Sequence, residues 1–303
     1  MDTIGLVTIT YNSADVLQSF LDCVWKQTHS NLILYVIDNA SSDVTLLILE
    51  NEKESRLRVV KNVENFGVAK ANNQGIRQAI SDGCDQILII NNDVEFESSL
   101  IEKLIKIQIE HKCSLVSPKM MYYDKPNHIW YAGSWFVKKK GYLPLHRGMK
   151  ELDKGQYNKT IDVEYAPTCC LLAKKEVFHD IGLMDEKYFV YFDDTDFSYR
   201  VWKDGRQRML YYPNVEFYHK VGSLTKSFDK CSKKIYRGNF FLQQNTKNHI
   251  YFLKKIGGIF PCAFIVWLFF KNNIRFFVNP KIRKNISTWW LINKSYFQGL
   301  LLK

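Results

Sequence analysis

The stretch Ile4-Gly-Leu-Val-Thr-Ile-Thr-Tyr-Asn-Ser13 decides how the rest of the chain is read. A short run rich in apolar and β-branched residues breaks off at Tyr11-Asn12, and Ser13 stands where a following helix needs its N-cap. Val16, Leu17, Phe20, Leu21 and Val24 then recur at the helical period. The spacing predicts strand, turn, helix. The same alternation repeats: a strand over 32–37, a cap-rich turn at Asp38-Asn-Ala-Ser-Ser-Asp43, a helix over 45–54, and a strand over 58–61. After Asn65-Phe-Gly67 a helix runs to Asp82-Gly83, and a fourth strand covers 86–90. Strands joined by crossover helices predict a parallel sheet covered on both faces, with ligands at the carboxyl ends of its strands.

Outward from this core the pattern weakens. Over 119–165, Tyr122, Tyr123, Trp130, Tyr131, Trp135 and Phe136 are interleaved with turn residues, predicting an irregular insertion that lines a cleft. A strand over 169–173, a helix over 174–181 ended by Gly182, a helix over 197–204 ended by Gly205, and a strand over 208–212 follow. Beyond His219 the pattern is helical and basic.

The chain has 303 residues, 46% of them hydrophobic, which is ample for a buried core and excludes disorder as the main state. Its net charge of +11 averages two unlike parts. Residues 219–303 hold 16 basic residues against one acid, Asp229, hence +15, and the first 218 carry −4. A basic tail on a mildly acidic body argues against a nucleic-acid footprint. The seven cysteines include no C-x-x-C pair, which suggests neither a disulfide framework nor a zinc site and fits a reducing compartment. The apolar run from Ile4 to Ile9 is too short for the core of a signal peptide. The uncharged run from Ile256 to Phe270 is 15 residues, short of the roughly 20 that a spanning helix needs.

Neither a G-x-G-x-x-G fingerprint nor a P-loop is present, so hydride transfer and NTP hydrolysis lack an anchor. The strand ends offer carboxylates and amides instead. Asp38 can accept from a base N–H or a ribose hydroxyl, or simply cap its turn. The segment from Asn65 to Gly75 opens a helix with small and amide side chains, so that Gly67 permits close backbone approach and Lys70 can meet a phosphate. Asn91-Asn92-Asp93 follows the most apolar strand directly, placing a carboxylate where a divalent cation could also take diphosphate oxygens. His219 can add an imidazole, which manganese accepts more readily than magnesium does. Asp193-Asp194-Thr195-Asp196 sets three carboxylates behind Tyr188-Phe-Val-Tyr-Phe192. One can N-cap the helix that follows, and another can act as a general base tuned by its neighbours.

In order and spacing, these segments resemble glycosyltransferase family 2, in its rhamnosyltransferase-like branch of bacterial surface polysaccharide synthesis. The matching stretches are Val7-Thr-Ile-Thr-Tyr-Asn12, Val36 to Asp43, Asn65 to Gly75, Leu88-Ile-Ile-Asn-Asn-Asp93, Tyr191 to Phe197, and Tyr218-His219. The resemblance implies a GT-A (Rossmann-like) fold over 1–218, divided at 118 into a nucleotide-sugar half and an acceptor half, with a helical basic extension over 219–303. It also implies a divalent metal (manganese or magnesium) and inverting transfer from a nucleotide-diphosphate sugar, dTDP-rhamnose or a UDP-hexose, to a lipid-linked saccharide. Carried over by position, Thr10, Tyr11, Asn12 and Asp38 would hold the nucleoside, Gly67, Lys70 and Asn73 would lie near the diphosphate, and Asn91 and Asn92 would complete the donor site. Asp93 and His219 would hold the metal. Asp194 matches the second acid of the family's E-D pair, the base, while Asp193 stands where the family has Glu. Asn91 likewise replaces the first Asp of a D-x-D motif.

Two rival readings are a nucleotidyltransferase, which would carry a Gly/Arg/Lys-rich phosphate loop, and a non-catalytic adaptor binding membrane or nucleic acid. Clusters such as Phe264 to Phe270 and Trp289-Trp290, flanked by cations, have the composition of a segment lying in a bilayer interface. The tail is expected to attach the chain peripherally to the cytoplasmic face of the membrane, with a homodimer interface as its other use.

Overall fold

The computed structural model describes residues 2–221, 238–278 and 285–303. The first strand, β1 (Ile4–Thr10), leads into α1 (Ala14–Trp25), whose buried residues are Val16, Leu17, Phe20, Leu21 and Val24, the face that the spacing predicts. Ser13 occupies the N-cap position without capping the helix. Its hydroxyl instead accepts from the Tyr11 amide at 3.1 Å and the Asn92 side chain at 2.9 Å, so it ties two strand ends together.

There follow β2 (Leu32–Asp38), α2 (Thr45–Asn51), β3 (Leu57–Lys61), α3 (Val68–Ser81) and β4 (Gln86–Ile90). Next come β5 (Val94–Phe96), α4 (Leu100–Glu110) and β6 (Leu115–Pro118). The insertion supplies β7 (Met120–Tyr122), β8 (Lys125–Tyr131), β9 (Ser134–Val137), β10 (Leu143–His146) and β11 (Ile161–Asp162). After it stand β12 (Cys170–Lys174), α5 (Lys175–Ile181), α6 (Asp193–Asp204), β13 (Met209–Tyr212) and β14 (Phe217–His219). Three helices close the described chain: α7 (Asn239–Ile256), α8 (Ile259–Val278) and α9 (Ile286–Leu301).

The main sheet has eight strands in the order β11-β13-β6-β12-β4-β1-β2-β3. Its first-half strands, β3, β2, β1 and β4, are parallel as predicted, but β12 runs antiparallel to both β4 and β6. The sheet is therefore mixed. Crossover helices enforce parallel pairing only where they occur, and β12 follows the insertion instead. Chain order reverses at β1, which lies between β2 and β4, and such a switch point opens a crevice at the strands' carboxyl ends. Gly75 lets α3 press onto this sheet, since a Cβ there would strike Val7.

The insertion is more regular than its composition suggests. β7 and β8 join β5 and β14 in a four-stranded sheet, and β9 pairs with β10. Aromatic residues on both faces of these short strands mask the period of two on which a sequence reading depends.

The helical pattern beyond His219 appears as α7, α8 and α9. Half of the tail's basic residues, namely Lys226, Lys230, Lys233, Lys234, Arg237, Lys281, Arg283 and Lys284, lie outside the described residues, with Cys231 and Asp229. α8 continues through Lys271 and Arg275 to 20 residues, long and apolar enough to cross a membrane by length and composition. The 15-residue expectation fell short because a count of uncharged residues stops at the first lysine, whereas a helix does not.

Candidate active site

Register brings the first group of candidates together. Thr10 ends β1 beside Asp38, which ends β2. The Thr10 hydroxyl donates to Asp38 Oδ1 at 2.8 Å, the Ser41 hydroxyl donates to the same oxygen at 2.6 Å, and the Ser41 amide reaches Oδ2 at 3.0 Å. Asp38 has no exposed surface, so it organises Thr10 and Ser41 beneath the crevice floor instead of facing a ligand openly. Asn12, in the left-handed region at φ 51°, clasps the opposite loop: its amide donates to Ser41 and its Oδ1 accepts from Ser42. The Tyr11 ring projects beside them, 46% exposed. Ser41 lies inside the Val36 to Asp43 stretch. Nothing local marks a serine as the partner of a carboxylate three residues back.

The next group lies at the α3 N-terminus. Gly67 adopts φ 81°, and a side chain there would collide with the Phe189 carbonyl, which accepts from Val68 N at 2.6 Å. The Asn39 side chain donates to the Gly67 carbonyl at 3.2 Å, which links this helix start to the Asp38 turn. The Lys70 ammonium stands 3.6 Å over the Phe66 ring. Asn73 does not join the group. Its Nδ2 donates to the Met184 carbonyl and to Glu186, its Oδ1 accepts from Met184 N, and it is 1% exposed. Its amide is fully engaged as a strut between α3 and the segment before α6.

At the end of β4, Asn91 is exposed, while Asn92 is buried and donates to the Ile9 carbonyl and Ser13, bracing the switch point. Asp93 and His219 are both buried, and His219 pairs with Val94 across the β5–β14 ladder. That pairing sets His219 Nε2 3.4 Å from Asp93 Oδ1. The Trp130 ring lies edge-on to His219 at 4.6 Å, and His219 Nδ1 has no hydrogen-bond partner among the described residues. One carboxylate oxygen and one imidazole nitrogen at this separation suit a single divalent ion, since ligand bonds of about 2.0–2.2 Å place adjacent donors some 3 Å apart. No group of three or more His, Cys, Asp or Glu with metal-holding geometry occurs among the described residues. Asp93 and His219 fit manganese or magnesium as two protein ligands, with substrate oxygens and water completing the shell.

The acid run departs from expectation in one respect. α6 begins at Asp193 itself, with Phe192 at the N-cap in the left-handed region (φ 70°) and no side-chain cap. No acid caps the helix; all three lie in its first turn, where the helix dipole favours negative charge. Asp196 is accounted for by ion pairs with Arg200 and Lys255, each at 2.8 Å. Asp194 is half-buried, and the Tyr165 hydroxyl donates to its Oδ2 at 2.6 Å. Burial pushes the carboxyls of both Asp193 and Asp194 above the ordinary range; Asp194 pushes Asp193 further, whereas the Tyr165 hydrogen bond opposes the shift at Asp194.

The two acid sites lie near one another. Asp93 and Asp194 both lie close enough to the buried Cys169 thiol to reinforce the upward push that burial gives it, and the Cys169 carbonyl accepts from Asn91 N. An aromatic wall joins them. Trp130 is edge-on to His146 as well as to His219, and His146 stacks on Tyr165 at 5.8 Å. Burial lowers the His146 pKa to about 4, the nearby His219 adding to it, so this imidazole is neutral near pH 7. Tyr165 and His146 had no sequence signal: neither lies in a motif, and long-range packing brings both to the site.

Residues 6–182 match the family described as Glycosyl transferase family 2. The chain belongs to that family. Among curated relatives of this family 2 chain, the low-salt glycan biosynthesis hexosyltransferase Agl10 of Haloferax volcanii is 21% identical over 66% of this chain and 62% of its own length. The dTDP-rhamnosyl transferase RfbF of Shigella flexneri is 24% identical, over 76% and 72%. The N-acetylglucosaminyl-diphospho-decaprenol L-rhamnosyltransferase of Mycobacterium tuberculosis is 22% identical, over 72% and 76%. The match thus covers less than two thirds of the first relative's length. In solved structures, S. aureus TarS 1-349 superposes with a TM-score of 0.61 at 14% identity, over 99% of this chain and 81% of that one. The Pyrobaculum calidifontis mannosyltransferase PcManGT, solved with GDP-Man and Mn2+, gives 0.57 at 14% identity, over 99% and 87%. The fold is that of the GT-A glycosyltransferases.

Proposed function

We propose that this family 2 chain is an inverting, metal-dependent glycosyltransferase that moves a sugar from a nucleotide-diphosphate donor to a hydroxyl of a lipid-linked saccharide at the cytoplasmic face of a membrane. The observation that carries this reading is that the Asp93–His219 and Tyr165–Asp194 pairs are joined through the Trp130 and His146 rings. In this reading the catalytic part spans 1–218 and the helices beyond form an extension.

Each group then has a task. Thr10, Tyr11, Asn12 and Ser41 shape the nucleoside pocket over Asp38, which holds it together from beneath. The α3 start, opened by Gly67, brings the Lys70 ammonium to the diphosphate. Asp93 and His219 would hold a divalent ion, which would supply positive charge to the leaving diphosphate. Asp194 takes the acceptor hydroxyl's proton as that oxygen bonds to the anomeric carbon and the bond to the diphosphate breaks on the opposite face. Tyr165 holds the Asp194 oxygen in place, and burial raises the base's affinity for a proton against that hydrogen bond. Asn73 takes no part in the donor site.

RfbF and the mycobacterial relative, by their names, support a dTDP-rhamnose donor and a lipid-diphosphate acceptor, with UDP-hexoses as rival donors. The test is a donor panel incubated with manganese or with chelator. Metal-dependent release of nucleoside diphosphate from one donor is expected, and its absence in Asp93→Asn and His219→Ala completes the assignment. Release that persists under chelation in those variants overturns the metal role, and no release from any donor overturns the function.

A further inference from the structure

The C-terminal helices are amphipathic the wrong way round. In α8 the exposed residues include Ile259, Val266, Trp267, Phe270, Ile274 and Phe277, with Ile259 91%, Phe270 56% and Phe277 62% exposed. They recur at helical spacing on one outward stripe. α9 repeats the device with Ile286, Trp290, Phe297 and Leu301, Trp290 being 63% exposed. The two helices are locked side by side. Trp289 Nε1 donates to Asn273 at 2.9 Å, Asn273 donates to Asn293 at 3.1 Å, Phe276 stacks on Trp289, and the Tyr296 hydroxyl donates to the Ile265 carbonyl. So many large side chains facing outward from one packed helix pair form a patch of the kind that soluble monomers rarely leave open.

We infer that the outward face of α8 and α9 is a docking surface for an anionic bilayer leaflet, lying in the headgroup region without crossing the membrane. Charge selects this occupant. Residues 219–303 carry 16 basic residues against one acid, and Lys271, Arg275 and Lys294 lie exposed on these two helices. A second copy docked here would bring like charges together, whereas each cation near an anionic leaflet contributes about 1 kcal/mol of attraction. Lys271 stands 4.4 Å over the Trp267 ring, the pairing of cation and indole that suits the interface. At 20 residues α8 is about 30 Å long, enough to span. However, Lys271, Asn272, Asn273 and Arg275 crowd its second half, and it is packed on α7 and α9. α7 in turn is fastened to the catalytic acids' helix. Lys255 bridges Asp185 and Asp196, and Asn248 donates to the carbonyls of Val190 and Tyr191 just ahead of Asp193. Docking of these helices therefore sets the α6 acids at a fixed place over the leaflet.

The inference takes its purpose from the lipid-linked acceptor proposed above, but its test needs neither donor nor acceptor, so the two readings fail separately. The full chain is sedimented with vesicles of phosphatidylcholine, alone or with roughly one-third phosphatidylglycerol. Binding to the anionic vesicles is expected. In Trp267→Ser/Phe270→Ser/Trp290→Ser it falls by roughly tenfold or more, given the apolar area removed, at an unchanged melting temperature. In Lys271→Gln/Arg275→Gln it falls less and loses part of its salt dependence. With the unmodified chain, lipids brominated near the headgroup quench tryptophan fluorescence more than lipids brominated near the chain ends. No sedimentation with any vesicle, strongest quenching from the deep bromines, or a solution dimer abolished by the triple substitution would overturn the inference.

Discussion

Asp38 at the end of β2 and Asp194 in the first turn of α6 are the same residue in opposite circumstances. Asp38 is fully buried and accepts from Thr10 and from the hydroxyl and amide of Ser41, so its charge is balanced by donors that the fold provides. Asp194 is reachable from the crevice, accepts from Tyr165, and sits beside Asp193 in surroundings that disfavour charge on either. A saturated carboxylate builds a pocket. A carboxylate held against desolvation and repulsion is suited to take up a proton. The difference lies in their partners.

The largest effect expected from this contrast is at Asp194. Asp194→Asn should lower turnover by about 10²–10⁴-fold, the usual cost of removing a positioned base, with nucleoside diphosphate affinity by calorimetry little changed. A near-normal rate in that variant together with a dead Asp193→Asn moves the base by one residue. Asp38→Asn should do the reverse. It removes hydrogen bonds to a charged acceptor, each worth about 1.5–3 kcal/mol, so donor KM should rise roughly tenfold or more while kcat at saturation stays nearly constant. A loss of kcat alone would dissolve the contrast between the two acids.

Tyr165→Phe should act more mildly and in a directed way. The phenol donates to Asp194 and holds its pKa down, so without it the acid limb of the pH–rate profile should move to higher pH with a several-fold loss of rate. A profile that merely drops without shifting would show that Tyr165 has a packing role alone. The smallest effect is one of stability. A carboxyl raised above its unfolded value binds its proton more tightly when folded, so stability falls as pH climbs from the ordinary aspartate range through the raised value. Asp193→Asn removes that cost. It should raise the melting temperature by a few degrees at pH 7 and by less near pH 4, measured by calorimetry at both.

Much of this was legible in the chain. The periods of α1 and of strands β1 to β4 are local properties, set by which side chains can share one face, and the structure follows them closely. Asp93, His219 and Asp194 could be picked out because carboxylates and imidazoles stand directly after apolar strands or aromatic runs. Three points were not legible. Asn73 looks like a neighbour of the diphosphate until the loop at Met184 is seen to consume its amide. Tyr165 and His146 belong to an insertion whose aromatic residues gave no usable period. The start of α6 lies four residues earlier than the apolar pattern suggests, because Phe192 takes up a left-handed turn that aims the acids into the helix's first turn.

The sequence by itself determined that a switch-point α/β sheet forms, that acids emerge at its strand ends, and that the positive charge gathers in the tail. These follow from short-range periodicity and composition, which need no knowledge of distant partners. Tertiary structure decided which acids are balanced and which are crowded, that His219 meets Asp93, and that the aromatic face of α8 and α9 turns outward. Such outcomes depend on which distant atoms supply hydrogen bonds and exclude water, and a one-dimensional pattern does not specify those neighbours.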